Sequence, residues 1–161
     1  MLEKAMSKMM RRGSKESTFG KVSGSLSGEM SATCDHIGIF TRNAQRLESF
    51  YVTVLGFKRE KKDVLPASLM KALFGVNSGC TLTRLASRNV KLELFQPTSV
   101  RPGRRLNTAQ GYNHWGYHVG DREKLIRKLS RRGVNVIEAK RGDHTVYFLR
   151  DPDGNRIELR G

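Results

Sequence analysis

His36-Ile37-Gly38-Ile39-Phe40 and His114-Trp115-Gly116-Tyr117-His118-Val119 are two short strands of the same design, and each opens the same order of elements. After the first, Asn43 is placed to cap a helix over Ala44 to Val54, where Leu47, Phe50, Tyr51 and Val54 recur at helical spacing and Gly56 ends the run. Phe57 to Lys61 starts a second strand. Val64 to Gly79 is a longer connection that holds a short helix around Ala67 to Leu73. Strands at Cys80 to Leu85 and Val90 to Gln96 follow, with a turn at Ser87-Arg88-Asn89. After a polar connection from Pro97 to Gly111 the order repeats: strand, helix over Arg122 to Arg132, Gly133, then strands at Val134 to Ala139, Thr145 to Leu149 and Arg156 to Leu159. Asp151-Pro152-Asp153-Gly154 is the hairpin turn before the last of them.

Counting lays one half on the other. His36 to Gly56 is 20 residues and His114 to Gly133 is 19. His36 to Glu93 is 57 residues and His114 to Glu158 is 44, and the excess of 13 matches the longer Val64–Gly79 connection. The expectation is an α+β chain with a βαβββ module used twice, module one over about 33–97 and module two over about 112–161. Residues 1–32 are expected to form a flexible basic tail ahead of the modules. Gly13 to Ser31 is Gly- and Ser-rich and reads as a linker, and Leu2, Met6 and Met9 recur at helical spacing within Met1 to Arg12.

Each half places a His at the start of its first strand and a Glu within its last. Alternate residues of a strand share a face. Leu92 and Leu94 flank Glu93, and Ile157 and Leu159 flank Glu158, so both carboxylates point away from the faces their neighbours bury. His36, Gly38 and Phe40 share one face, as do His114, Gly116 and His118, and the glycines keep those faces open. If the modules curl together, two imidazoles and two carboxylates converge on one concave surface. That mixed N/O set suits Zn, Ni, Co, Mn or Fe(II), with coordination positions left for water or substrate.

The chain resembles the vicinal oxygen chelate superfamily, which spans glyoxalases, bleomycin-resistance proteins and extradiol dioxygenases. The resemblance runs from about Asp35 to Arg160. It is carried by Asp35-His36-Ile37-Gly38-Ile39, Phe50-Tyr51-Val52-Thr53-Val54-Leu55-Gly56-Phe57, Lys91-Leu92-Glu93-Leu94-Phe95, Asn113 to Val119 and Asp151 to Leu159. It implies paired βαβββ modules forming a cupped mixed sheet around one divalent metal ion, with His36, Glu93, His114 and Glu158 as ligands. Members such as glyoxalase I and methylmalonyl-CoA epimerase move a proton next to a carbonyl: the metal stabilises an enediolate and a carboxylate carries the proton. On that pattern Glu158 is the base and Glu93 its partner across the site. Extradiol dioxygenases use only His, His and Glu around Fe(II), here His36, His114 and Glu158. Members that sequester drugs in the cup without catalysis form a third class.

His118 is read either as a group that orients substrate, relays protons or replaces a ligand, or as a holder of a carboxylate, and His144 as a lining residue of the cup. Tyr147 is read as core or as a substrate contact, and Trp115 as packed behind the sheet. Arg101, Arg104 and Arg105 stand between the modules, as a solvated cluster or as contacts to an anionic substrate.

Composition sets the outer limits. Thirty Lys+Arg against fifteen Asp+Glu give a net charge of +15, and residues 1–30 contribute only +3 of it. That balance favours anionic partners. No RNA-binding motif or zinc-finger spacing accompanies the charge, so nucleic acid is not the expected partner; the resemblance implies a small-molecule substrate, for which the charge leaves room for an anionic group. No apolar run approaches the ~20 residues of a membrane span. Cys34 and Cys80 form no disulfide framework, and a reduced, cytoplasmic protein is expected, with a homodimer as a further expectation because modules of this fold pair within one chain or across two.

Overall fold

In a computed structural model, which describes residues 33–88, 90–103 and 110–161, the first module runs β1 (His36–Phe40), α1 (Ala44–Leu55), β2 (Lys58–Leu65), α2 (Ala67–Phe74), β3 (Cys80–Ser87) and β4 (Val90–Pro97). The second runs β5 (His114–His118), α3 (Arg122–Arg131), β6 (Val136–Arg141), β7 (His144–Arg150) and β8 (Arg156–Arg160). The N-terminal segment, with its expected helix and linker, and the expected cluster members Arg104 and Arg105 lie outside the described residues. Among the described residues no helix is long and apolar enough to cross a membrane.

The sheets repeat one topology, β1-β4-β3-β2 and β5-β8-β7-β6, each with a parallel pair followed by antiparallel pairs. The fold is therefore α+β, built of two βαβββ modules. The parallel pairs set the register that matters: Gly38 lies beside Glu93, and Gly116 beside Glu158.

Local chemistry explains the elements. Asn43 accepts a hydrogen bond from the backbone N–H of Arg46 at 2.9 Å, which caps α1. Gly56 closes that helix at φ 75°, a left-handed conformation that costs glycine little. Two strands differ from the spacing-based expectation. β2 continues to Leu65 because Asp63, Val64 and Leu65 pair with Leu82, Thr81 and Cys80. It is an exposed edge strand carrying Lys58, Arg59, Lys61 and Lys62, charges that discourage edge-to-edge association. β6 begins at Val136 rather than Val134 and runs to Arg141, where it turns directly into β7.

The main apolar core joins the modules. Leu47, Tyr51 and Leu55 of α1 pack with Leu92 and Leu94 of β4 and with Leu129, Leu149, Ile157 and Leu159 of module two. Trp115, Tyr117 and Tyr147 lie against the same core, half-buried. Each fully buried aliphatic side chain contributes about 1.5–3 kcal/mol. Because side chains alternate, burying Leu92 and Leu94 turns Glu93 to the opposite face, and burying Ile157 and Leu159 does the same to Glu158.

Polar contacts pin the seam between the modules. The Tyr51 hydroxyl donates to Asp151 Oδ2 at 2.9 Å, and Thr41 Oγ1 and Arg46 Nη2 both donate to Asp153. At the other end, the hydroxyls of Tyr117 and Ser87 meet at 2.7 Å. Asp151 also builds its own turn: Oδ1 accepts from the backbone N–H groups of Asp153 and Asn155, and Oδ2 from Asn155 Nδ2. One carboxylate thus organises the β7–β8 hairpin and anchors α1 to it.

Candidate functional site

His36 and Glu93 stand on neighbouring strands of the first sheet, with His36 Nε2 3.4 Å from Glu93 Oε2. The other ring nitrogen, Nδ1, lies 3.0 Å from Asp35 Oδ2. The ammonium of Lys91, 2.7 Å from Asp35 Oδ1, and the His36 imidazole together hold the Asp35 carboxyl down to about 2. An ionised carboxylate only accepts hydrogen bonds, and Asp35 at 3.0 Å is nearer its nitrogen than Glu93 at 3.4 Å, so Nδ1 is the better placed donor and Nε2 the nitrogen open to a metal. Glu93 is buried, and its Oε1 accepts from both Nε and Nη2 of Arg84. Arg84 comes from the directly paired position on β3.

Module two repeats the arrangement with different supports. His114 Nε2 lies 3.5 Å from Glu158 Oε2. Nδ1 lies 3.2 Å from Asn113 Oδ1, an acceptor that favours the same tautomer. Glu158 Oε1 accepts from Arg160 Nη1 at 3.1 Å, two residues along the same strand. The position across from Glu158 on β7 is Phe148, whose ring packs edge-on against His114 at 5.1 Å.

The two separations bear on metal binding. At 3.4 and 3.5 Å, Nε2 and Oε2 are farther apart than in a good hydrogen bond. Two donors each about 2.1 Å from one tetrahedral ion are separated by about 3.4 Å. Each pair therefore has the spacing of two ligands on a common ion, and each ring carries the outer hydrogen bond that metal-ligating histidines use to orient themselves. Among the described residues no three His, Cys, Asp or Glu side chains are grouped closely enough to hold an ion. The structure thus brings His36 to Glu93 and His114 to Glu158, and it leaves the two pairs ungrouped. Both histidines line one cavity of about 500 Å³, together with Cys34, Gly38 and Trp115.

The other residues singled out by sequence are distributed as follows. His118 is exposed at the end of β5, and the group on Glu158 Oε1 is Arg160. His144 opens β7 and lines a cavity of about 640 Å³ with Arg141 and Glu158. Trp115 and Tyr147 both pack against the core, and the Arg122 guanidinium lies 4.8 Å from the centre of the Tyr147 ring. Arg101 is exposed. Four residues at the pairs escaped sequence reasoning: Asp35, Arg84, Asn113 and Arg160. Asp35 and Asn113 each stand one place before a repeated His, and Arg160 lies two places beyond Glu158 on the same face, so all three were within reach of the pattern. Arg84 is visible only through the β3–β4 register.

Comparison with known proteins agrees with this architecture. A lactoylglutathione lyase of Neisseria meningitidis is 26% identical over 129 residues, covering 77% of this chain and 86% of that protein. A catechol-2,3-dioxygenase of Bacillus subtilis is 29% identical over 130 residues, and the match takes in 77% of this chain but only 40% of that enzyme. The fold resembles that of a trypanothione-dependent glyoxalase I from Leishmania major, with a TM-score of 0.60 at 24% identity over 81% of this chain and 87% of the other. The profile of the Glyoxalase/Bleomycin resistance protein/Dioxygenase superfamily matches residues 33–159, and with paired βαβββ modules over that span the chain belongs to that superfamily.

Proposed function

We propose that this protein is a divalent-metal-dependent lyase or isomerase of the glyoxalase I and acyl-CoA epimerase type, moving a proton next to a carbonyl of a small oxygenated substrate. The observation that carries the reading is the duplicated His–Glu pair, with separations of 3.4 and 3.5 Å and an oxygen acceptor on Nδ1 in each. His36 with Glu93 would supply one half of an ion's ligands and His114 with Glu158 the other half, from one chain or from two copies of it, and Asp35 and Asn113 would keep each Nε2 directed at it. When bound, the ion supplies Lewis acidity toward the carbonyl oxygen, which acidifies the neighbouring C–H.

The carboxylates divide the work. Glu93 is gripped at one oxygen by two nitrogens of Arg84, itself only 27% exposed, so it is a fixed group. Glu158 Oε1 is held by one nitrogen of Arg160, which is 61% exposed and free to swing. Glu158 is therefore the group that takes the proton from carbon and returns it to the neighbouring position.

Metal content of the purified protein and of single His36→Ala, Glu93→Ala, His114→Ala and Glu158→Ala variants tests the assignment. Each substitution is expected to abolish tight binding of one ion per chain and turnover of the methylglyoxal–glutathione hemithioacetal. Folded variants that bind as much metal as the parent would place the site elsewhere. Recovery of binding on mixing His36→Ala with His114→Ala chains would assign the two pairs of one site to two copies of the chain.

A second reading, Fe(II)-dependent oxygen chemistry, draws on the Arg84–Glu93 ion pair. A carboxylate already neutralised leaves His36, His114 and Glu158 as the open donors. Iron in the purified protein and oxygen consumption with catechol would favour it over the first.

A further inference from the structure

The two modules line their His–Glu pairs with opposite materials. Four residues beyond His36 on the same strand face stands Phe40, and four beyond His114 stands His118. Two beyond Glu93 stands Phe95, and two beyond Glu158 stands Arg160. Module one also carries α2, in the connection that module two lacks. Pro66 starts that helix, Gly75 ends it at φ 69°, and its buried Met70 packs with Leu82 and Phe95 in a satellite core separate from the main one. The last residue of α2, Phe74, thereby meets Phe40 edge-on at 5.7 Å and Phe95 at 5.2 Å, and Phe40 lies 5.6 Å from Phe95.

This cluster is not an ordinary core. Phe95 is buried, but Phe40 is 39% and Phe74 44% exposed, although three rings in contact are well suited to closing over one another. The cluster also abuts the reacting groups. Gly38 lies between His36 and Phe40 on the strand face, and a Cβ there would stand 3.4 Å from the Phe95 ring. Same-face positions on a strand are about 7 Å apart. Phe40 therefore stands two such steps from His36 with only Gly38 between them on that strand face, and its paired neighbour Phe95 stands one step from Glu93, so the cluster flanks the His36–Glu93 pair.

We infer that Phe40 and Phe74 form an aromatic shelf that seats a planar apolar group, an aryl substituent, on the substrate of this site. The inference rests on the proposed placement of the substrate's oxygenated carbon at the His–Glu pairs. It makes the substrate an aryl-substituted carbonyl compound rather than a small aliphatic one.

Benzoylformate and pyruvate test it, since they share a 2-oxo acid head and differ in phenyl against methyl. Calorimetric titration of the full chain is expected to show benzoylformate binding about tenfold or more tighter, the discrimination that a modest apolar pocket provides. Phe74→Ser and Phe40→Ser should each erase most of that preference while leaving pyruvate affinity unchanged. Leu73→Ser, on the same helix and 62% exposed, should retain it, which separates loss of the shelf from unfolding of α2. Equal or undetectable binding of both acids by the parent would overturn the inference, as would a preference that survives both phenylalanine substitutions. A Phe74→Ser variant that loses self-association rather than the preference would assign the patch to a second copy and overturn it equally. A chain inactive on hemithioacetals that still shows the Phe74-dependent preference would refute the lyase reading and leave the shelf standing.

Discussion

Tyr51→Phe isolates the bond that ties α1 to the β7–β8 hairpin. The substitution removes one oxygen and keeps the ring, so the contacts with Phe50, Phe57 and Trp115 survive. What is lost is a 2.9 Å hydrogen bond from a fully buried hydroxyl to a carboxylate that is 4% exposed. A hydrogen bond to a charged group contributes about 1.5–3 kcal/mol net, more than a neutral one. Asp151 keeps its bonds from Asn155 and from two backbone N–H groups, so it is not stranded, and the expected loss is about 2 kcal/mol. For a folded unit of this size that lowers Tm by about 8 °C. The effect has a pH signature. Burial raises the Asp151 carboxyl above its ordinary 3.8, while the Asn155 and Tyr51 bonds pull it down. A folded-state pKa above the unfolded one means that ionising Asp151 opposes folding: its contribution is full below the unfolded pKa and lost as pH rises through the folded value. Removing the Tyr51 donor raises the folded pKa further, so the destabilisation grows from acid toward neutral pH and then levels off. Urea unfolding of both proteins from pH 4 to 7 measures this directly. A loss below about 0.5 kcal/mol, or one that shrinks as pH rises, would refute the claim that the hydroxyl stabilises the ionised carboxylate.

Two further substitutions probe the site and the core. Asp35→Asn replaces the ionised acceptor on His36 Nδ1 with a neutral amide, and divalent-metal affinity by competitive chelation is expected to fall about 10- to 100-fold with little change in stability, because Asp35 is exposed. Leu129→Ala empties the fully buried position of α3 that packs against module two's sheet, and a loss of about 2–5 kcal/mol in chemical denaturation is expected.

The paired modules were legible because their signals are local. Helix and strand periodicity, Asn43 and Gly56 at the ends of α1, and the Asp151–Gly154 turn each depend on neighbours a few residues apart. The facing of Glu93 and Glu158 followed from alternation with buried leucine and isoleucine, and the structure keeps it. The partners of those carboxylates were not legible to the same degree. Arg84 lies nine residues before Glu93 with no periodic relation to it, and only the pairing of β3 with β4 sets them side by side. The aromatic shelf escaped for the same reason, since Phe40 and Phe95 meet through the β1–β4 register and Phe74 joins them only because Met70 seats α2 on the sheet.

By itself, then, the sequence determined the element order, the duplication and the side of each sheet on which the repeated His and Glu residues stand, because these follow from side-chain alternation and short-range capping. Tertiary structure alone decided the register between strands, the grouping of the four donors as two pairs rather than one set, and the difference between an aromatic and a cationic lining. Those depend on which distant segments share a core, and burial of apolar surface is non-directional, so it drives the segments together without encoding in any one of them which polar groups will meet.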